Sequence, residues 1–214
     1  MNSRILCFVV LLCMHLAIAT QAQLVQATFS GEIIAETSSP GFFSPGTTFS
    51  SVIVFDTSVP PQNGGQVSVG YPNAILSHNF TIGNLTYNAT TLDTLVVSNN
   101  FSPVPGSLED NFLFFSSPLS GPTVNGSNLS AVNFALDDTN ATTLNSVSVP
   151  NSVLLNDFER RELTAFFRDA DGISNIVDGE IQALSFQTVP EPSILTPLLA
   201  LSMWAAARRR KRQP

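Results

Sequence analysis

The 214-residue chain carries nine Lys or Arg against sixteen Asp or Glu, a formal charge of −7. The basic residues crowd its two ends, Arg4 in one and five in the other. Residues 23–188 keep only Arg160, Arg161 and Arg168 against fifteen carboxylates, a formal −12. A Lys-free, anionic middle excludes a polyphosphate binder, because nucleic-acid affinity rests on Lys and Arg neutralising phosphates.

Residues 1–22 read as a secretory signal peptide. Arg4 supplies the positive start and residues 5–18 the apolar stretch. Ala17-Ile18-Ala19 is a small-x-small cleavage site, with Thr20-Gln21-Ala22 as the alternative. Cleavage at either removes Cys7 and Cys13, the two cysteines, so the exported part has no thiol, disulfide or thiolate metal ligand. A domain of about 165 residues can bury an adequate core without such staples.

From 23 to 188, short runs of β-branched and aromatic residues alternate with Gly, Pro, Asn and Ser. This pattern predicts an all-β domain, a single β-sandwich of jelly-roll type with roughly nine to eleven strands. In chain order, strands are expected at 25–36 and 48–55, then a hairpin over 74–90 with Gly83-Asn84 at its tip. Further strands follow at 92–97, 111–116 and 129–136, with short ones at 143–149 and 153–155. One helical turn is expected in 156–161, before a closing pair at 163–168 and 176–186 around Asp169-Ala170-Asp171-Gly172. In 129–136, Ser130, Val132, Phe134 and Leu136 are assigned the core face against Leu129, Ala131, Asn133 and Ala135. Alternation in 181–186 leaves the inward face open.

Few residues offer chemistry. His78 is the one histidine beyond the signal. Its neighbour Ser77 faces the other side of a strand and no G-x-S-x-G turn occurs, so a surface or loop histidine is expected rather than a catalytic one. The best metal candidates are Asp169, Asp171 and Asp178, which with Asn175 and Glu180 could offer calcium several oxygens. Against the EF-hand register they fail, since Phe167 takes the first position and the last lacks its Glu. An acidic, solvated turn is the plainer reading, and Asp137-Asp138-Thr139-Asn140 is another. Carboxylate pairs suited to glycoside hydrolysis arise by chance among so many acids. No P-loop, G-x-G-x-x-G or H-E-x-x-H occurs, and no cofactor is expected. Seven Asn-x-Ser/Thr triplets, starting at Asn79, Asn84, Asn88, Asn100, Asn125, Asn128 and Asn140, follow from the Asn, Ser and Thr content.

Residues 189–214 have three parts in order. Pro190-Glu191-Pro192 comes first, an apolar run over 194–207 second, and Arg208, Arg209, Arg210, Lys211 and Arg212 last. An apolar run closed by a basic cluster is a stop-transfer signal, because the charges stay on the cytoplasmic side. Fourteen residues make a helix of about 21 Å, against a hydrocarbon core of about 30 Å. A span this short suits a temporary stop better than a lasting anchor.

This tripartite tail resembles the PEP-CTERM sorting signal of bacterial exported proteins. The middle also resembles the β-rich domains commonly attached to that signal. The likeness runs through Phe29-Ser30-Gly31, Gly46-Thr47-Thr48-Phe49, Val54-Phe55-Asp56-Thr57, Tyr71-Pro72, the hairpin 81–87 and Gly179-Glu180-Ile181. The resemblance implies that an exosortase, a membrane transpeptidase-like enzyme, processes the tail near Pro190, Glu191 and Pro192. It implies a transient stay in the inner membrane, then the cell surface or an extracellular polymeric matrix, with exopolysaccharide as a further partner. A non-enzymatic exported protein is therefore expected. The alternatives are a carbohydrate- or calcium-binding adhesive module and, behind it, a polysaccharide-active enzyme.

Overall fold

The computed structural model describes residues 23–36, 41–62, 65, 67–89, 93–172 and 174–190. The candidate signal peptide and the tail beyond Pro190 lie outside them. Among the described residues there are ten strands: β1 (Leu24–Glu36), β2 (Thr48–Asp56), β3 (Ser68–Ile82), β4 (Leu85–Ala89), β5 (Asp93–Phe101), β6 (Glu109–Ser116), β7 (Leu119–Ser120), β8 (Asn128–Asp138), β9 (Arg160–Arg168) and β10 (Ser174–Thr188). All pairings are antiparallel.

The strands do not form the expected sandwich. Eight run in the order β2-β1-β10-β9-β8-β6-β5-β3, and β3 pairs back onto β2, so the sheet closes into a barrel. The closing ladder runs from Phe49↔Ile82 to Phe55↔Ile75. Closure removes the free edges that an open sheet exposes. β3 outlasts its neighbour: its first half pairs with β5, its last residues with β4, and β4 and β7 form a small flap there.

The interior of an eight-stranded barrel is just wide enough for side chains to fill it, and aromatic rings do so here. Phe29 stacks on Phe134 at 4.8 Å between ring centres and meets Phe114 edge-on at 5.2 Å. Phe112, Phe80, Phe49 and Phe55 complete the packing. The outer rows are mostly polar, with Gln26, Thr28, Ser30 and Glu32 on β1 and Thr48 and Ser50 on β2. A barrel that spans a bilayer needs an apolar outer band instead. Among the described residues no helix is long and apolar enough to cross a membrane.

Bulges decide which residues face inward. Val132, Phe134 and Leu136 are buried as expected, but a register shift between Leu129 and Ala131 against β9 turns Leu129 inward too. Ser130 is only partly buried, and its hydroxyl donates to the Phe166 carbonyl at 2.9 Å. On β10 a shift pairs Gly31 with Ile181 and Ser30 with Ala183, leaving Gln182 as the extra residue. Ile181 and Leu184 are thus on the inner side although three positions apart, which is why plain alternation could not orient this strand.

Gly31 sits at that shift for a steric reason. A Cβ there would overlap the Glu180 carbonyl oxygen, and the Phe49 ring lies over both Gly31 and Gly179. Gly31→Ala is expected to destabilise the fold by about 3 kcal/mol, because the clash is with backbone and Phe49 must leave its slot. A lowered urea midpoint would show it, and an unchanged midpoint would refute the packing argument.

Other local expectations change. The strands expected at 143–149 and 153–155 are absent. The β8–β9 connection is irregular apart from one 3₁₀ turn, Leu155–Asp157, which replaces the expected helical turn. The Gly83-Asn84 tip is present, with Gly83 at φ 58°.

Candidate functional site

The barrel has two distinct ends. Strands β1, β3, β6 and β9 start at one, where β2, β5, β8 and β10 finish. The chain enters and leaves there side by side: Val25 pairs with Thr188, and the Val189 amide donates to the Leu24 carbonyl at 2.9 Å. Pro190 follows, exposed, one residue beyond this last bond. Of the sorting residues, Pro190 is placed at the tail end of the barrel. Glu191, Pro192, Arg208, Arg209, Arg210, Lys211 and Arg212 lie outside the described residues.

The tail end is closed by the long β8–β9 connection, and buried carboxylates hold it. Asp138 accepts the amides of Asn140 (2.8 Å), Thr142 (2.7 Å) and Thr143 (2.9 Å). Opposite it across the β6–β8 ladder, Asp110 accepts the amides of Asn100 (2.9 Å) and Leu144 (2.7 Å). Burial alone would push the Asp138 carboxyl up, but its hydrogen bonds outweigh that and hold it down at about 2. Asp137 goes the other way: burial raises it, and Asn111 and Arg160 only partly oppose this. The connection then crosses the opening, where the Val147 carbonyl accepts the Tyr71 hydroxyl of β3 at 2.6 Å. Asp110 and Asp138 thus form a carboxylate pair whose oxygens are engaged by backbone amides, the task of an anchor for a loop.

The metal candidates are not brought together. Asp169 begins the β9–β10 turn, and its side chain accepts the Asp171 amide at 3.0 Å. Asp178 lies away from that turn, well inside β10, paired with Thr164 and Ala35. Among the described residues no three His, Cys, Asp or Glu side chains stand close enough to hold a metal ion.

His78 is not the expected surface residue. It points into the barrel at 3 % exposure, while Ser77 faces out as expected. Its Nε2 is 2.8 Å from Ser51 Oγ on β2 and its Nδ1 is 2.6 Å from Ser116 Oγ on β6. Asp93 of β5 lies beside Ser116, and its Oδ1 accepts the Ser117 amide at 2.9 Å. Ser51, His78 and Ser116 form a buried hydrogen-bonded relay in which the imidazole bridges two hydroxyls, the donor at each bond following from the tautomer. The His78 ring lies against Phe80 and Phe134, and Ser51 is buried with it. Burial lowers the imidazole to about 4, so it is neutral at pH 7. The relay ties β2, β3 and β6 together. Sequence reasoning missed it because nothing local tells that Ser51 and Ser116 turn inward toward the same ring.

At the far end, on the outer wall, Phe115 of β6 and Phe166 of β9 flank Ala131 in a groove of about 300 Å³. Ser117, Ser130 and exposed Arg168 complete its rim. Phe115 remains 42 % exposed. A second depression, of about 430 Å³, lies in the β8–β9 connection between Thr143 and Asp157. No family of known proteins matches the chain, and neither a curated protein nor a solved structure does.

Proposed function

We propose that the chain is a non-enzymatic exported protein whose barrel is delivered to the cell surface or extracellular matrix through its C-terminal sorting tail. The tripartite tail carries this reading: Pro190-Glu191-Pro192, the apolar run and Arg208 to Arg212 follow the last strand with one residue between. The barrel's mostly polar exterior suits an aqueous compartment. An exosortase is the processing partner this assigns, with the inner membrane as a transient stop. The barrel's described ladders end at Thr188, so a cut beyond Pro190 leaves each of them in place. Mass spectrometry of the exported protein is expected to find a C-terminus before Arg208. An intact 208–214 segment on the surface form would overturn the processing step.

A second reading, a carbohydrate-binding adhesive module, is favoured by the far-end groove. Aromatic rings beside hydroxyls and an arginine are the usual furniture of shallow polar-ligand sites. It lies toward the end opposite the tail, facing outward from a tethered barrel. Phe115→Ala should abolish retention on a neutral polysaccharide column while leaving the thermal melt within a few degrees. Unchanged retention would remove this reading.

A further inference from the structure

We infer that the tail end of the barrel rests on a lipid surface through the apolar tips of its loops. This rests on the reading that the tail inserts into the membrane.

Single exposed apolar residues need no explanation. Their placement here does. Leu154 (69 % exposed), Val104 (60 %), Leu108 (52 %) and Val67 (44 %) are half of the large hydrophobic residues exposed on the described surface. All four sit at the end where the chain enters and leaves, in three separate connections: β2–β3, β5–β6 and β8–β9. The other four, Ile34, Val52, Leu76 and Phe115, are spread over four strands of the wall.

These tips are held in place. The Val104 carbonyl accepts the Ser102 hydroxyl at 2.8 Å, the Ser107 hydroxyl at 3.0 Å and the Ser107 amide at 3.1 Å. These three bonds hold the turn, and Val104 and Leu108 stay exposed on it. Leu154 is fixed by the 3₁₀ turn that follows it, its carbonyl accepting the Asp157 amide at 3.1 Å. The Val67 carbonyl accepts the Asn99 amide at 2.9 Å.

The tail supplies the occupant. From Pro190 to the start of the apolar run at Ile194, four residues reach at most about 14 Å. The barrel end cannot stand far from the bilayer. The apolar run itself falls about 9 Å short of the hydrocarbon thickness, with Arg208 to Arg212 fixing its inner edge. A short span thins the bilayer or draws its flanking groups inward. Apolar loop tips at the outer edge take up that deficit, burying in the headgroup boundary as interfacial side chains do. Exposed Asp157 and Glu159 beside Leu154 repel anionic headgroups, so the surface that fits is zwitterionic.

The test uses the full chain with Cys7→Ser and Cys13→Ser, reconstituted in phosphatidylcholine vesicles containing a nitroxide-labelled lipid. Single cysteines carry a fluorophore at Val104→Cys or Leu108→Cys, at Leu201→Cys as the tail marker, and at Ile34→Cys as the far-end control. Quenching at Val104 and Leu108 is expected to exceed that at Ile34 by about twofold or more. If Leu201 is quenched while Val104 and Leu108 match Ile34, the inference is overturned and the membrane tail stands. If Leu201 is not quenched, both readings fall.

Discussion

Acidification from pH 7 to pH 4 is expected to cost the barrel about 3 kcal/mol of folding free energy through His78 alone. The imidazole has an ordinary value of 6.5, and burial among Phe80 and Phe134 lowers it to about 4. Below pH 6.5 the unfolded chain takes up this proton and the folded one does not. Stability therefore falls as pH falls, and the loss is complete only below the folded value. Asp93, beside the Ser116 end of the relay, is raised by burial against the lowering effect of the Ser117 amide and the Ser116 hydroxyl. Its sign is opposite: the folded state holds that proton more firmly, so acidification through its raised value returns part of the loss. Asp138 acts in a lower window, between 3.8 and about 2. Urea titrations of the wild type and His78→Gln at pH 7 and pH 4 separate these terms. The wild type should lose about 3 kcal/mol more than the variant. Equal losses, or a His78 imidazole titrating near 6.5 by NMR, would sink the prediction.

The relay also shows where sequence reading stops. The strands were legible because alternation and turn residues are local: β1, β2, the Gly83-Asn84 hairpin, β6 and the β9–β10 pair are at or near the expected places. Whether a β-sheet stays open, splits or closes depends on ladders between distant strands, here Val25↔Thr188 and Phe49↔Ile82. Inward rows look the same in a sandwich and a barrel, so composition could not choose. The bulges at Ser130 and Gln182 hid part of the core face for the same reason: one extra residue inverts a period of two. In the β8–β9 connection, valines with alternating serines read as strand. The structure shows those valines, Val147, Val149 and Val153, packed partly against the core as a cap. The proposed sorting signal rests on order along the chain alone, Pro190-Glu191-Pro192, an apolar run and Arg208 to Arg212, and needs no fold to be read.

Function follows this division. The barrel's chemistry is turned inward: its histidine is buried and the carboxylates Asp110 and Asp138 are engaged by backbone amides. Its outward features are the far-end groove around Phe115 and the apolar loop tips at the tail end. On the proposed reading, the role of the domain lies in where it is placed and what it touches. The Val104 loop and Leu154 are therefore better targets for altering localisation than any residue of the relay.

Asp138→Ala is expected to destabilise the protein by about 3–5 kcal/mol, more than loss of any exposed carboxylate. The substitution strips the acceptor from three backbone amides, those of Asn140, Thr142 and Thr143, and from the Thr142 hydroxyl at 3.1 Å. Asp138 is 1 % exposed, so water does not readily replace those bonds. Asp138→Asn keeps the shape but turns an amide group toward backbone donors, and should cost about half as much. Glu159→Ala is the control. Its carboxylate bonds the Thr139 amide at 2.8 Å and the Asn140 side chain at 2.6 Å, but on an exposed residue. Its loss should stay near 1 kcal/mol. For a chain of this size, about 4 kcal/mol corresponds to a fall of roughly 8–16 °C in Tm. Limited proteolysis should cut the β8–β9 connection of Asp138→Ala first, because its start then loses three buried backbone bonds while Asp110 through Leu144 and Tyr71 through Val147 hold only its later part. The two acids anchor one connection, so Asp110→Ala and Asp138→Ala should be less than additive in combination. Full additivity, or a Tm within two degrees of wild type for Asp138→Ala, would show that the cap is held by its valines and not by its carboxylates.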